Sequence, residues 1–210
     1  MKIIYVYDAL CGWCYGFSPV IAEFYRKRQD KSDFEVVSGG MITGSRIGPI
    51  GEVAPYIKQA YKEVENRTGV RFGEAFLHDV LEEGSTIFTS VPLAIAMSVF
   101  KSRQPQHAVS FAGVLQKAVY YDGLAPQDTA AYGPLAEGFG LDGAAFVAQM
   151  EQPEFRQAAQ QDFQRTQQLG VSGFPTVLAE VGSTYYQLAS GYASLSSLGQ
   201  ALESLQSQIR

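Results

Sequence analysis

Two cysteines, Cys11 and Cys14, are the only thiols of the chain, and they stand together in "YDALCGWCYGF", separated by Gly12 and Trp13. A thiolate, not a thiol, is the nucleophile in disulfide exchange, and helix N-terminal amides stabilise it. The stretch before Cys11, "KIIYVYDA", is rich in Ile, Val and Tyr and reads as a buried strand. The stretch after it, residues 15–30, repeats apolar residues at helical spacing: Phe17, Val20, Ile21, Phe24 and Tyr25. The thiols therefore belong to a strand-to-helix junction, with Cys11 at the helix start and Cys14 one turn inside. In that arrangement the first thiol's pKa falls from ~8.5 into the range ~3.5–7.5, while the second keeps its proton until needed. Cys11 is expected to attack a substrate disulfide and Cys14 to resolve the mixed disulfide.

Other uses of two cysteines fit less well. A structural zinc site needs four ligands, and beyond the cysteines only His78 and His107 would be available, both in helical stretches. No metal and no other cofactor is expected. A purely structural disulfide over so short a loop would constrain little of the unfolded chain.

The elements that must hold this site can be followed along the chain. "FEVVSGGM" (34–41) reads as a second strand, closing a strand, helix, strand unit with a right-handed crossover. From about 50 to 169 almost all signals are helical. One helix stops at Gly69, another opens with Ser90 as cap and Pro92 in its first turn, and a third stops at Gly123. Asp128, Asp142 and Gln152-Pro153 open three more. Strand signals return in "TVLAEV" (176–181) and "TYYQLA" (184–189), joined by Gly182-Ser183 as a hairpin, and a last helix closes the chain. The fold class is α/β. Residues 1–49 and 170–210 are expected to form one discontinuous domain, and 50–169 an all-helical insertion.

With 210 residues, 46% hydrophobic and 18% charged, the chain can bury a large core without staples. A net charge of −5, with no basic run longer than "RKR" (26–28), gives no footprint for nucleic acid. Apolar runs such as "VPLAIAMSVF" (91–100) fall short of the ~20 residues that span a bilayer. The first ten residues carry no cleavage pattern of a secretory leader, so a cytoplasmic protein is expected, where disulfides are seldom structural.

"CGWC" at a strand-to-helix turn, a helical block after the second strand, and "GVSGFPTV" (170–177) before a hairpin together resemble the DsbA-like branch of the thioredoxin superfamily, over essentially the whole chain. The resemblance implies a thioredoxin-like fold with a large all-helical insertion, and protein-disulfide oxidoreductase activity on protein or peptide thiols and disulfides, with glutathione as a further candidate partner. It implies a cis Pro175 against the cysteines, leaving Phe174 and Pro175 to pair with an extended substrate, and a kink at Pro19 in the active-site helix. By the residues alone, Pro19 equally fits a helix that starts after Ser18. Exposed beside the thiols, Trp13 is expected to touch substrate or to cover the helix end. The buried acid that relatives carry six positions before the first cysteine is here Tyr5. Asp8, where cytoplasmic relatives of the FrnE type often carry an acid, is either a proton relay for Cys14 or a cap of the helix, with the cap favoured. Without an imidazolium in the Gly12-Trp13 pair, the couple is expected to be less oxidising than that of DsbA.

Two other functions share these features. Glutathione-dependent enzymes like the kappa-class transferases and 2-hydroxychromene-2-carboxylate isomerases have the inserted-helix architecture but need no resolving thiol, which Cys14 would supply. A redox-regulated binding or adaptor protein would use the thiols to gate an apolar groove at the seam between the two parts, lined by "GGMITG" (39–44). His78, His107, and the pairs Tyr120-Tyr121 and Tyr185-Tyr186 read as core or surface residues without a chemical role.

Overall fold

The computed structural model describes residues 1–209. Strand β1 (Lys2–Tyr7) is followed by helix α1 (Gly12–Arg28) and strand β2 (Asp33–Ser38). β1 and β2 pair in parallel, with Tyr5 opposite Val36. Strands β3 (Gly48–Pro49) and β4 (Ile87–Phe88) form a separate two-stranded ladder around helix α2 (Ala54–Thr68) and a π-helical segment (Ala75–Glu82). Helices α3 (Ser90–Arg103), α4 (Ala108–Tyr120), α5 (Tyr132–Glu137), α6 (Gly143–Met150) and α7 (Pro153–Gln168) follow. The chain then returns to the first sheet as a hairpin, β5 (Thr176–Val181) and β6 (Thr184–Ser190), and ends in helix α8 (Leu195–Gln208). The main sheet has the order β2-β1-β5-β6, with β5 antiparallel to both neighbours.

Alternation along β1 splits the core. Ile3, Tyr5 and Tyr7 join the large cluster that contains Cys14, Phe17 and most of the helical insertion, whereas Ile4 and Val6 pack with Val37 and Leu178 on the other face. The insertion is held to the free edge of β2 by polar side chains. Asp162 accepts from the Ser38 N–H at 3.0 Å, Lys101 donates to the Val36 carbonyl at 3.0 Å and to Asp162 at 2.7 Å, and Thr166 donates to the Ser38 carbonyl at 3.2 Å. Groups on an edge strand that would otherwise invite another strand are thereby satisfied.

Several local expectations are met and several are corrected. The hairpin falls where its turn residues place it, and Asp142 caps α6 by accepting from Ala145 N at 2.9 Å. The second strand ends at Ser38 rather than 41, because Gly39 and Gly40 carry the chain out of the sheet, Gly40 with φ of 70°. The cap of α3 is Thr89, not Ser90; the Ser90 hydroxyl is engaged elsewhere. The β3–β4 ladder lies partly within the helical block, but it belongs to its own small sheet.

Helix α1 begins at Gly12 and runs through Pro19, so the alternative of a helix starting after Ser18 is corrected. Lacking an N–H, Pro19 leaves the Tyr15 carbonyl without its helical donor, and the Ser18 hydroxyl takes that place at 2.8 Å.

Candidate active site

The β1–α1 turn presents the thiols. Cys11 stands at the N-cap of α1 in extended conformation, with its own N–H bonded to the Asp8 carbonyl at 3.1 Å. Both cysteines are free thiols. Cys11 keeps 8% of its surface exposed and Cys14 none, because Cys14 lies one turn along α1 on the face packed against the sheet.

That difference sets their acidity. The neighbouring Cys14 thiol lowers the Cys11 pKa most, helped by the backbone amides of Cys14 and Trp13, against burial and the Asp8 charge, which raise it. Burial pushes the Cys14 thiol well up, and proximity to Cys11 raises it further.

The Phe174–Pro175 peptide bond is cis, and the Cys11 thiol donates to the Phe174 carbonyl at 3.5 Å across 163 residues of sequence. Gly39, at the end of β2, leaves room for the Phe174 ring: a Cβ there would lie 2.3 Å from its edge carbons. The loops after β1 and before β5 therefore meet at the Cys11 sulfur, and the end of β2 packs on the Phe174 ring beside them.

Asp8 is buried, and its carboxylate accepts from Leu10 N at 2.9 Å, Met41 N at 2.7 Å and the Ser90 hydroxyl at 3.0 Å. None of these donors belongs to α1, so the helix-cap role expected for Asp8 is corrected. The carboxylate instead ties the β1–α1 turn to the loop after β2 and to the start of α3. Burial raises its pKa, and the three hydrogen bonds oppose that rise.

A groove of about 310 Å³ opens beside Cys11, walled by Trp13, Met41, Ile57, Tyr61, Phe72 and Tyr120 among others. Exposed Val53 and Tyr56 sit on its rim. Trp13 is half-buried, its ring 6.5 Å from that of Tyr192, with the Arg67 guanidinium 5.7 Å over it. It thus lines the groove.

Tyr120, read as a plain core residue, has a role at the site: its hydroxyl donates to the Leu10 carbonyl, one residue before Cys11. Phe72 walls the groove and Arg67 lies over Trp13, and helix spacing alone cannot tell such a groove wall from a core face. His78 pairs on the surface with Glu74 and Glu82.

The family model of the DSBA-like thioredoxin domain matches residues 2–203. The chain belongs to that family. Among curated proteins, none matches the sequence. DSBA-like folds of known structure are similar over the full length. The cytosolic disulfide reductase DsbM from Pseudomonas aeruginosa is 26% identical, with TM-score 0.78, covering 100% of this chain and 99% of that one. DsbM solved with GSH gives 25% and 0.76, with full coverage of both chains. A candidate protein disulfide isomerase from Nitrosomonas europaea is 24% identical with TM-score 0.85, covering 99% of each chain, and shows the fold. This DSBA-like chain thus has a thioredoxin fold with a helical insertion, and its family includes thiol–disulfide oxidoreductases. Among the described residues, no helix is long and apolar enough to cross a membrane.

Proposed function

We propose that the protein is a thiol–disulfide oxidoreductase acting on protein or peptide cysteines, with Cys11 as nucleophile and Cys14 as resolving thiol. The observation that carries this reading is the asymmetry of the pair: a partly exposed, acidified Cys11 at a helix N-terminus above a fully buried, proton-retaining Cys14. The Cys11 thiolate attacks a substrate disulfide, forming a mixed disulfide and expelling one substrate sulfur as a thiolate. Cys14 then loses its proton and attacks Cys11 Sγ. The intramolecular disulfide forms, the bond to substrate breaks, and the second substrate sulfur leaves with the electron pair and takes up a proton. A thiol in the reverse sense restores the dithiol, and the glutathione in a DsbM structure supports glutathione for that part.

In this reading Phe174 and Pro175 offer backbone to an extended substrate, Trp13 and the apolar groove receive the side chains beside its cysteine, and Asp8 accepts the Cys14 proton. The Asp8 charge and burial both oppose the Cys11 thiolate. A strong oxidant of this kind owes its potential to a stabilised reduced form, and the Gly12-Trp13 pair puts no imidazolium beside Cys11 to add to that stabilisation, which favours a more reducing couple than DsbA's. The cytosolic reductase among the similar structures supports the same direction and a cytoplasmic location. The division into 1–49 with 170–210 and an insertion over 50–169 belongs to the proposal; all four strands of the main sheet lie in the first part, and the β3–β4 ladder bridges the seam.

The test is alkylation and trapping. In single-cysteine variants, Cys11 should react with iodoacetamide at lower pH than Cys14, and Cys14→Ser should accumulate a mixed disulfide with a peptide disulfide while Cys11→Ser forms none. If Cys14→Ser turns over normally with glutathione as its only co-substrate, the resolving role is wrong and a glutathione-dependent transferase or isomerase is the better description.

A further inference from the structure

Two polar side chains of the core that holds Cys14 are buried without a well-formed hydrogen bond. Tyr5 and Gln116 have no exposed surface, and neither the Tyr5 hydroxyl nor either amide atom of Gln116 is bonded within the described residues. Such groups destabilise a fold, because they give up water and gain no partner. Phe and Leu would fill the same space without that loss, so packing alone does not account for them.

Both lie around α1 at the level of Cys14. Tyr5 projects from β1 to the face of the sheet that carries Cys14 and Phe17. Its ring is 5.3 Å from Tyr7 and 6.0 Å from Phe17, and Phe17 is the residue three positions after Cys14. Gln116 belongs to α4, which packs along α1. It precedes by one turn Tyr120, whose ring stacks at 5.5 Å on Tyr15, the residue next to Cys14. A charge on Cys14 would raise the pKa of the Tyr5 phenol, whereas the Gln116 side chain, the group facing that hydroxyl, lowers it.

We propose that the Tyr5 hydroxyl and the Gln116 amide form a neutral polar pair that turns toward Cys14 and supports its thiolate during the resolving step. The inference rests on the oxidoreductase reading and adds two positioning residues to it. When Cys14 gives up its proton to attack the mixed disulfide, a negative charge forms in a fully buried site. The other titratable groups around it are Cys11 and Asp8 of the β1–α1 turn, Tyr7 of β1 and Tyr120 of α4. Asp8 and Cys11 oppose that charge. Neutral O–H and N–H donors can stabilise a buried anion without themselves carrying charge in the resting dithiol, so they act when the thiolate appears.

The experiment uses Tyr5→Phe, Gln116→Leu and the volume-conserving Gln116→Met in the full chain. A fluorescent peptide disulfide is mixed with reduced protein, and acid-quenched samples give the decay of the mixed disulfide across pH. Each variant should resolve it about tenfold more slowly, and the pH midpoint of that step should move up by about one unit, while the Cys11 alkylation profile stays in place. Thermal unfolding separates this from a structural role: losing an unpartnered buried donor should leave Tm unchanged or raise it. Wild-type resolution rates and midpoints in the folded variants would overturn the proposal. If the parent protein forms no mixed disulfide at all, it is the oxidoreductase reading that fails instead.

Discussion

Replacing Gly39 by Ala tests whether the Phe174 carbonyl is held in place by the end of β2. The added Cβ would sit 2.3 Å from two edge carbons of the Phe174 ring and 3.0 Å from a third. Carbon atoms rest at about 3.5–4.0 Å, so the ring must withdraw by roughly 1.2 Å or more. Because Phe174 is only half-buried, it can swing outward, and the loss should fall near the lower end of the ~1–3 kcal/mol for overpacking. For a chain of this size that is a fall in Tm of about 2–4 °C per kcal/mol. The functional effect should exceed the stability effect. The part of the displacement that the ring passes to its own backbone shifts the Phe174 carbonyl, 3.5 Å from Cys11 Sγ, so exchange with a peptide disulfide should slow severalfold while alkylation of Cys11 by iodoacetamide does not. A double-mutant cycle with Phe174→Ala completes the assay: without the ring, Gly39→Ala should lose most of its effect on stability. An unchanged stability penalty in the Phe174→Ala background would refute the contact, and an unchanged exchange rate in the single variant would refute its link to Cys11.

Two further outcomes follow from the same geometry. Tyr120→Phe leaves the buried Leu10 carbonyl without its donor and should lower stability by about 1–3 kcal/mol in urea unfolding; a change below a few tenths would show that this hydrogen bond does not hold the turn. Burial raises the Asp8 pKa above its unfolded value near ~4, so the native state binds the proton more tightly, and stability falls as pH rises from ~4 through the folded value. Relative to Asp8→Asn, the wild type should therefore lose stability between pH 4 and pH 7, and a difference that is flat over that range would contradict the assignment.

Much of the site was legible because its signals are local. A β-branched strand, two thiols at the following helix start, and an X-Pro step before a hairpin are each encoded within a few consecutive residues. Local backbone preferences suffice to place Cys11 at an N-cap and Cys14 on the buried face of the same helix. The hairpin was equally plain, since Gly182-Ser183 separates two strand-forming runs. What the sequence left undecided depends on contacts between distant segments. Asp8 has the right chemistry to cap α1, and only the approach of Met41 and Ser90, from the loop after β2 and the start of α3, turns its carboxylate away from that helix. Tyr120 reads as one more aromatic on an apolar helix until folding brings its hydroxyl to Leu10, 110 positions away. Periodicity reports which face of an element is buried but not against what. The proton partners of the thiols, the wall of the groove and the fit of Phe174 over Gly39 are matters of tertiary packing, because each joins residues whose local sequences carry no record of one another.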